Sequence, residues 1–204
     1  MKIEMRRMLI IPVATAMLAL SPGLVRAQAA CVAKPGERFD QVSELGAWER
    51  SRIGALAPEG PARLFLGECG LGCVAGIDHP RASYDAAFEA GAEALTVVLS
   101  AGGRERGRLV FDWPEAYEWF GADTEPGNVS GGDLYTEMRL RGTVSGSGDL
   151  GRARAVPAEL VLSGFGNRCV TARSFSGWSL SVAGEGVRYR LFGGLKGAGK
   201  IIPK

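Results

Sequence analysis

The sequence has one histidine, His79, among 204 residues. That shortage excludes much chemistry. A Ser or Cys nucleophile usually needs a His base. His79 is the one candidate, and in Asp78-His79-Pro80 it reads as a loop residue beside proline. No Gly-x-Ser-x-Gly elbow occurs. Gly146-Ser147-Gly148 lies in a polar turn and lacks the strand–turn–helix context of such an elbow.

Cysteine is also sparse. Cys31, Cys69, Cys73 and Cys169 are the whole set. A structural zinc site would need all four, or three plus His79. A thiol oxidoreductase would want C-x-x-C opening a helix. Here the spacing is C-x3-C among glycines, Gly67-Glu68-Cys69-Gly70-Leu71-Gly72-Cys73. Phosphate-binding loops and dinucleotide fingerprints are missing. The stretch Gly193 to Lys200 ends in Gly-Lys, without the Ser/Thr and helix that should follow. There is no nucleic-acid-binding module, no internal repeat and no clean domain boundary. No cofactor or metal is expected.

Long apolar runs are missing too. The longest, Met8 to Leu20, has 13 residues, short of the about 20 that a membrane span needs. Lys2, Arg6 and Arg7 precede it. Ser21-Pro22-Gly23 and Ala27-Gln28-Ala29 follow. This is a secretory signal peptide with cleavage expected after Ala29. A lipobox before Cys31 would want an apolar residue where Gln28 sits, so a soluble exported protein is expected, periplasmic or extracellular. Residues 30–204 would form a single β-rich domain.

Export changes the charge. From Ala30 onward there are 20 basic and 21 acidic residues. They are unevenly spread: Ala30 to Asp133 carries 9 basic and 17 acidic, Leu134 to Lys204 carries 11 and 4. Two readings follow, a basic partner surface or two halves that attract each other within one fold. Four cysteines in an exported chain read as two disulfides. Either Cys69–Cys73 closes the glycine loop and Cys31 pins the N-terminus to Cys169, or the distant pair is tied to the loop in crossed fashion.

What is abundant is glycine, 30 residues, in a chain that is 46% hydrophobic. It punctuates short strands. Phe39, Val42, Leu45, Trp48 and Ile53 recur at helical spacing, predicting one short amphipathic helix over Glu37 to Ile53. A 30–62 helical extension is therefore expected. Tyr84 and Phe88 at i, i+4 suggest a second helix over Ser83 to Glu93, or an irregular segment. Arg63 to Leu66 reads as a short strand. Leu95 to Ser100 and Arg108 to Trp113 read as a hairpin. Tyr135 to Val144 alternates, with Met138, Leu140 and Val144 inward and Glu137, Arg139 and Arg141 outward. Glu159 to Ser163, Cys169 to Phe175, Trp178 to Val182 and Val187 to Leu191 continue a meander. The fold class is mainly β, an antiparallel sandwich or barrel with one or two short helices in the N-terminal part. Residues 193–204 read as a loose tail.

One stretch concentrates chemistry. Phe111 to Phe120 holds five of the sixteen aromatics beside three carboxylates. Carboxyls paired with aromatic stacking surfaces suit sugar cleavage by Asp112, Glu115 or Glu118. They equally suit binding of a glycan or peptide without cleavage, through Trp113, Glu115, Tyr117, Glu118 and Trp119. The plain alternative is aromatic core packing. Pro114 should send the segment out of the sheet to its rim. If the segment is a binding surface, Trp119 should be its exposed member. Asp123, Glu125, Asn128 and Asp133 could offer oxygen ligands to calcium, but they miss the EF-hand spacing. Together these features point to an exported binding or envelope-associated protein with no catalytic residues. Its partner would be an envelope glycan or another exported protein. A carboxylate-based glycan-active hydrolase is the competing reading.

Overall fold

The computed structural model describes residues 36–66, 68, 70–124, 134–166 and 175–196, without the side chains of Leu71 and Cys73. The expected signal segment, Cys31, Cys69, Cys169, most of the loop holding Glu125, Asn128 and Asp133, and residues 197–204 lie outside that set.

Among the described residues, ten strands form one antiparallel sheet: β1 (Arg38–Glu44), β2 (Pro58–Leu64), β3 (Ser83–Ala90), β4 (Ala94–Ala101), β5 (Arg104–Asp112), β6 (Ala116–Asp123), β7 (Leu134–Gly148), β8 (Val156–Gly166), β9 (Phe175–Gly184) and β10 (Val187–Leu195). The order is β1-β6-β7-β5-β4-β3-β2-β10-β9-β8, and β8 returns to pair with β7. Strands β2 to β5 and β7 to β10 therefore close an eight-stranded barrel. β6 and β1 extend from it as a two-stranded ribbon.

Alternation fills the barrel. Leu95, Val97 and Leu99 of β4, Leu109 and Phe111 of β5, and Met138, Leu140 and Val144 of β7 are buried. So are Leu160 and Leu162 of β8, Trp178, Leu180 and Val182 of β9, and Val187, Tyr189 and Leu191 of β10. An eight-stranded barrel has room inside for about this many side chains and little else. The β4–β5 hairpin turns through Gly102-Gly103, both at positive φ. Two left-handed residues give the turn whose twist matches its strands. The β9–β10 hairpin closes at Glu185-Gly186, with Val182 opposite Tyr189 and Leu180 opposite Leu191.

Three expectations need correction. The helix over Glu37 to Ile53 is a strand and a shorter helix: β1, then α1 over Ala47–Gly54. Ile53 is buried, but Val42 is 71% and Trp48 55% exposed. The helical spacing of these apolar residues therefore does not mark one buried face. Ser83 to Glu93 is not a helix either. Tyr84, Ala86 and Phe88 turn inward along β3 while Ser83, Asp85 and Ala87 turn out. A spacing of four is a multiple of the strand period as well as near the helical one. The expected loose tail over 193–204 is not a unit, because Gly193 to Leu195 belong to β10 and residues 197–204 lie outside the described residues.

Two ion pairs set an acid of the first half against a base of the second: Asp78 with Arg152 at 2.6 Å, and Glu118 with Arg141. Arg106 pairs with Asp149 at 2.6 Å in the opposite sense, and the other ion pairs among the described residues lie within one half. The Asp78–Arg152 and Arg106–Asp149 pairs fasten the β2–β3 connection and the β5 strand to the β7–β8 turn, where the Asp78 amide also donates to the Asp149 carbonyl at 2.7 Å.

Candidate functional site

The aromatic–acidic segment sits where the barrel gives way to the ribbon. β5 and β6 run one after the other along the same edge of β7. Phe111 faces Val144 and Glu118 faces Arg139. Seven steps of chain on one side match five on the other, so Trp113-Pro114-Glu115 bows out of the ladder. Pro114 has no N–H to give a ladder, which is why the break falls here.

Trp113 is half-buried at this break. Its amide donates to the Glu93 carbonyl at 3.0 Å and its indole N–H to the Gly91 carbonyl at 3.1 Å. It thus locks the β3–β4 turn. An open cleft of about 640 Å³ lies alongside, between α1 and that turn, lined by Arg50, Gly54, Ala90, Gly91 and Glu93 among others. Arg50 is held there by the carbonyls of Leu45 and Ala92. Glu115 is exposed, and its carbonyl accepts from the Leu45 amide at 2.8 Å.

Strand alternation then splits the remaining candidates. Tyr117 and Trp119 turn inward, edge to face at 6.3 Å, and Trp119 packs on Phe175 at 5.9 Å. Burial raises the Tyr117 phenol pKa, partly countered by a hydrogen bond with Ser43. Trp119 is only 8% exposed, so the exposure that a binding surface would require of it is not found. Glu118 turns outward to Arg141, whose Nε also donates to Glu159 at 2.9 Å. The five residues therefore occupy two faces and a rim, not one surface.

Asp112 accepts from Thr143 Oγ1 at 2.6 Å, while Glu118 and Glu159 are both held by Arg141. Each of these three carboxylates is thus engaged by a neighbouring side chain. His79 is exposed in the β2–β3 connection with a positive φ of 55°. Of the four possible calcium ligands only Asp123 is described, and its Oδ2 accepts from the Gly36 amide at 2.8 Å. Among the described residues no cluster of three or more His, Cys, Asp or Glu could hold a metal. Cys73 closes a short 3-10 turn, Gly70–Cys73, while its three possible partners lie outside the described residues.

The outward face of the ribbon carries a cluster that the chain-contiguous reading missed. Phe120 lies between two guanidinium groups, Arg38 at 5.3 Å and Arg139 at 5.4 Å. Glu137 holds Arg139 through Nε at 2.7 Å and accepts from the Tyr135 hydroxyl. Burial, then that bond to Glu137, pushes the Tyr135 pKa up to about 12. Tyr135 meets Phe165 edge to face at 5.6 Å, and Phe165 is 58% exposed. The register makes these residues neighbours: Asp40, Phe120, Glu137 and Ser163 form one row across the sheet, and Arg38, Ala122, Tyr135 and Phe165 the next. Alternation had already placed Glu137 and Arg139 outward. Only the pairing of β1, β6 and β8 with β7 adds Arg38, Phe120 and Phe165 beside them.

Comparison with known protein families, curated proteins and solved structures gives no significant match. Among the described residues no helix is long and apolar enough to cross a membrane.

Proposed function

We propose that the protein is an exported, non-catalytic binding protein of the cell envelope whose ligand is a glycan. The recognition surface is the outward face of β1, β6, β7 and β8. The observation that carries this reading is the exposed Phe165, set against Tyr135 and bordered by the fixed Glu137–Arg139 pair. An exposed ring offers a sugar an apolar face. Paired charged groups beside it offer planar hydrogen bonding to hydroxyls. The packed barrel interior leaves recognition to the outside, and the pairing of Glu118 with Arg141 weighs against the hydrolase reading.

The test is a screen of the mature protein against cell-envelope polysaccharides and peptidoglycan fragments, repeated with Phe165→Ala. The expected result is binding by the wild type and at least about tenfold weaker binding by the variant, roughly the loss of one stacking contact. Thermal stability should be unchanged. No glycan bound, or equal binding by Phe165→Ala, overturns the reading. Mass spectrometry of the exported protein should find Ala30 at the N-terminus.

A further inference from the structure

The ribbon ends in an open edge. Among the described residues, β1 pairs with β6 along one side and has no strand on the other. The Asp123 amide donates to Glu37 and the Leu45 amide to Glu115. In an antiparallel ladder the bonding direction alternates along the strand. The odd-numbered residues from Glu37 to Leu45 therefore bond to β6. Arg38, Asp40, Val42 and Glu44 turn their N–H and C=O groups to the free edge, and their side chains are exposed.

Native edges are commonly blunted by proline, bulges, very short strands or charged side chains. β1 has no proline or bulge: Arg38 to Glu44 reads RFDQVSE, and its pairing to β6 is unbroken over seven residues. It does carry charges, and their order suits pairing with a copy of itself. With a two-fold axis at Gln41, all seven residues overlap. Arg38 of each strand then faces Glu44 of the other, and Asp40 faces Val42. Shifting the register by two residues one way sets Asp40 against Asp40. Shifting it the other way sets Asp40 against Glu44 twice. Opposite charges facing each other across strands favour a register, and like charges oppose it. Among the described residues Arg38, Asp40 and Glu44 have no ion-pair partner. Val42, 71% exposed, is an apolar residue that such a seam would cover.

We infer that β1 is a homodimer seam, through which two copies of the chain join antiparallel about Gln41 into one continuous sheet. The partner is a second copy of this chain because the complementarity is to itself: the same seven residues supply both halves of every pair. The seam shares the β1 side chains with the proposed recognition face, but it is tested by oligomeric state alone, so its failure and that of the glycan reading are distinguishable.

Sedimentation equilibrium on the mature protein at about 100 μM, in the range where a micromolar complex is nearly full, should give twice the monomer mass. Glu44→Arg sets Arg against Arg at both ends and should weaken association at least about tenfold. The double variant Arg38→Glu with Glu44→Arg restores opposite charges and should restore the dimer, which separates lost pairing from lost folding. Gln41→Cys should cross-link to a covalent dimer on mild oxidation. A monomer at that concentration overturns the proposal. So does a dimer that Glu44→Arg leaves intact, or one that fails to cross-link at Gln41→Cys.

Discussion

Replacing Trp119 with alanine tests whether the aromatic segment is core or surface. Trp119 is 8% exposed and stacked between Tyr117 and Phe175 on the inner side of the ribbon. A buried tryptophan covers about 150–250 Å². At about 25 cal/mol per Å², and with alanine keeping part of that area, the loss is about 3–5 kcal/mol, the usual range for a large aromatic cut to alanine. With a urea m-value of about 2 kcal/mol/M the unfolding midpoint should fall by about 1.5–2.5 M. Trp48→Ala is the internal control. Trp48 is 55% exposed and carries only a stack with Arg52 at 4.5 Å, worth about 0.5–1 kcal/mol. If Trp119→Ala prevents folding, Trp119→Phe keeps most of the ring contact and should show less than half the loss. A midpoint shift under about 0.5 M for Trp119→Ala, with the m-value unchanged, refutes the core assignment. The ribbon would then be loosely held, and the binding role first considered for Trp119 would return.

Two further outcomes are expected. The exported protein should carry no free thiol, with Cys31–Cys169 and Cys69–Cys73 as its bridges. Gly166 and the Gly70–Cys73 turn are at opposite ends of the barrel: Ala75 bridges Arg188, Arg188 faces Ala183, and Val182 faces Ala158, about 26 Å down β8 from Gly166. Thiol labelling of the unfolded, unreduced protein should give no adducts, and a non-reduced peptide map showing a crossed pair would defeat the connectivity. Removing the Cys31–Cys169 bridge should cost about 2–5 kcal/mol. Tyr189→Phe should be neutral or stabilising by up to about 1 kcal/mol, because the Tyr189 hydroxyl is buried without a hydrogen-bond partner among the described residues. Burial, then the neighbouring Tyr84, raises its pKa above the ordinary value. The folded state then holds the proton after the unfolded chain has lost it. That contribution is whole below about pH 10 and is lost as pH rises further. Urea midpoints measured between neutral and alkaline pH should fall less for Tyr189→Phe than for the wild type; an equal fall refutes the assignment.

How much of this was legible depends on the range of each signal. The β4–β5 hairpin, the alternation of β7 and the inward rows of β9 and β10 are written locally. There, apolar residues recur every second position and glycines mark the turns. β1 and β3 were misread because their apolar spacing of three or four residues fits a helix. In β3 that spacing is the strand period counted twice. In β1, Val42 was counted as core when it faces water. Nothing within Glu37 to Ile53 distinguishes these cases; the pairing of Arg38 with Ala122 does.

The site was harder for a related reason. A run of aromatics and acids along one strand looks like one surface when written as a string, but a strand divides its residues between two faces. Phe111, Tyr117 and Trp119 therefore serve the interior, and Glu118 and Phe120 the exterior. Recognition residues on a sheet are neighbours across strands, not along them. Arg38, Phe120, Arg139 and Phe165 come from four strands, and Arg38 and Phe165 are more than a hundred positions apart. What joins them is the register of β7, which is long enough to pair with β5 at one end and β6 at the other. The break at Trp113-Pro114-Glu115 makes that shared edge possible, since β6 can continue along β7 only after the chain has left β4. Pro114 marks a break in the ladder, but the segment does not stay at a rim as expected: it rejoins the sheet as β6 from Ala116, between β1 and β7. The consequence of the break is to open a second sheet edge at β1 and an outward face beside it, which is where both proposed interactions fall.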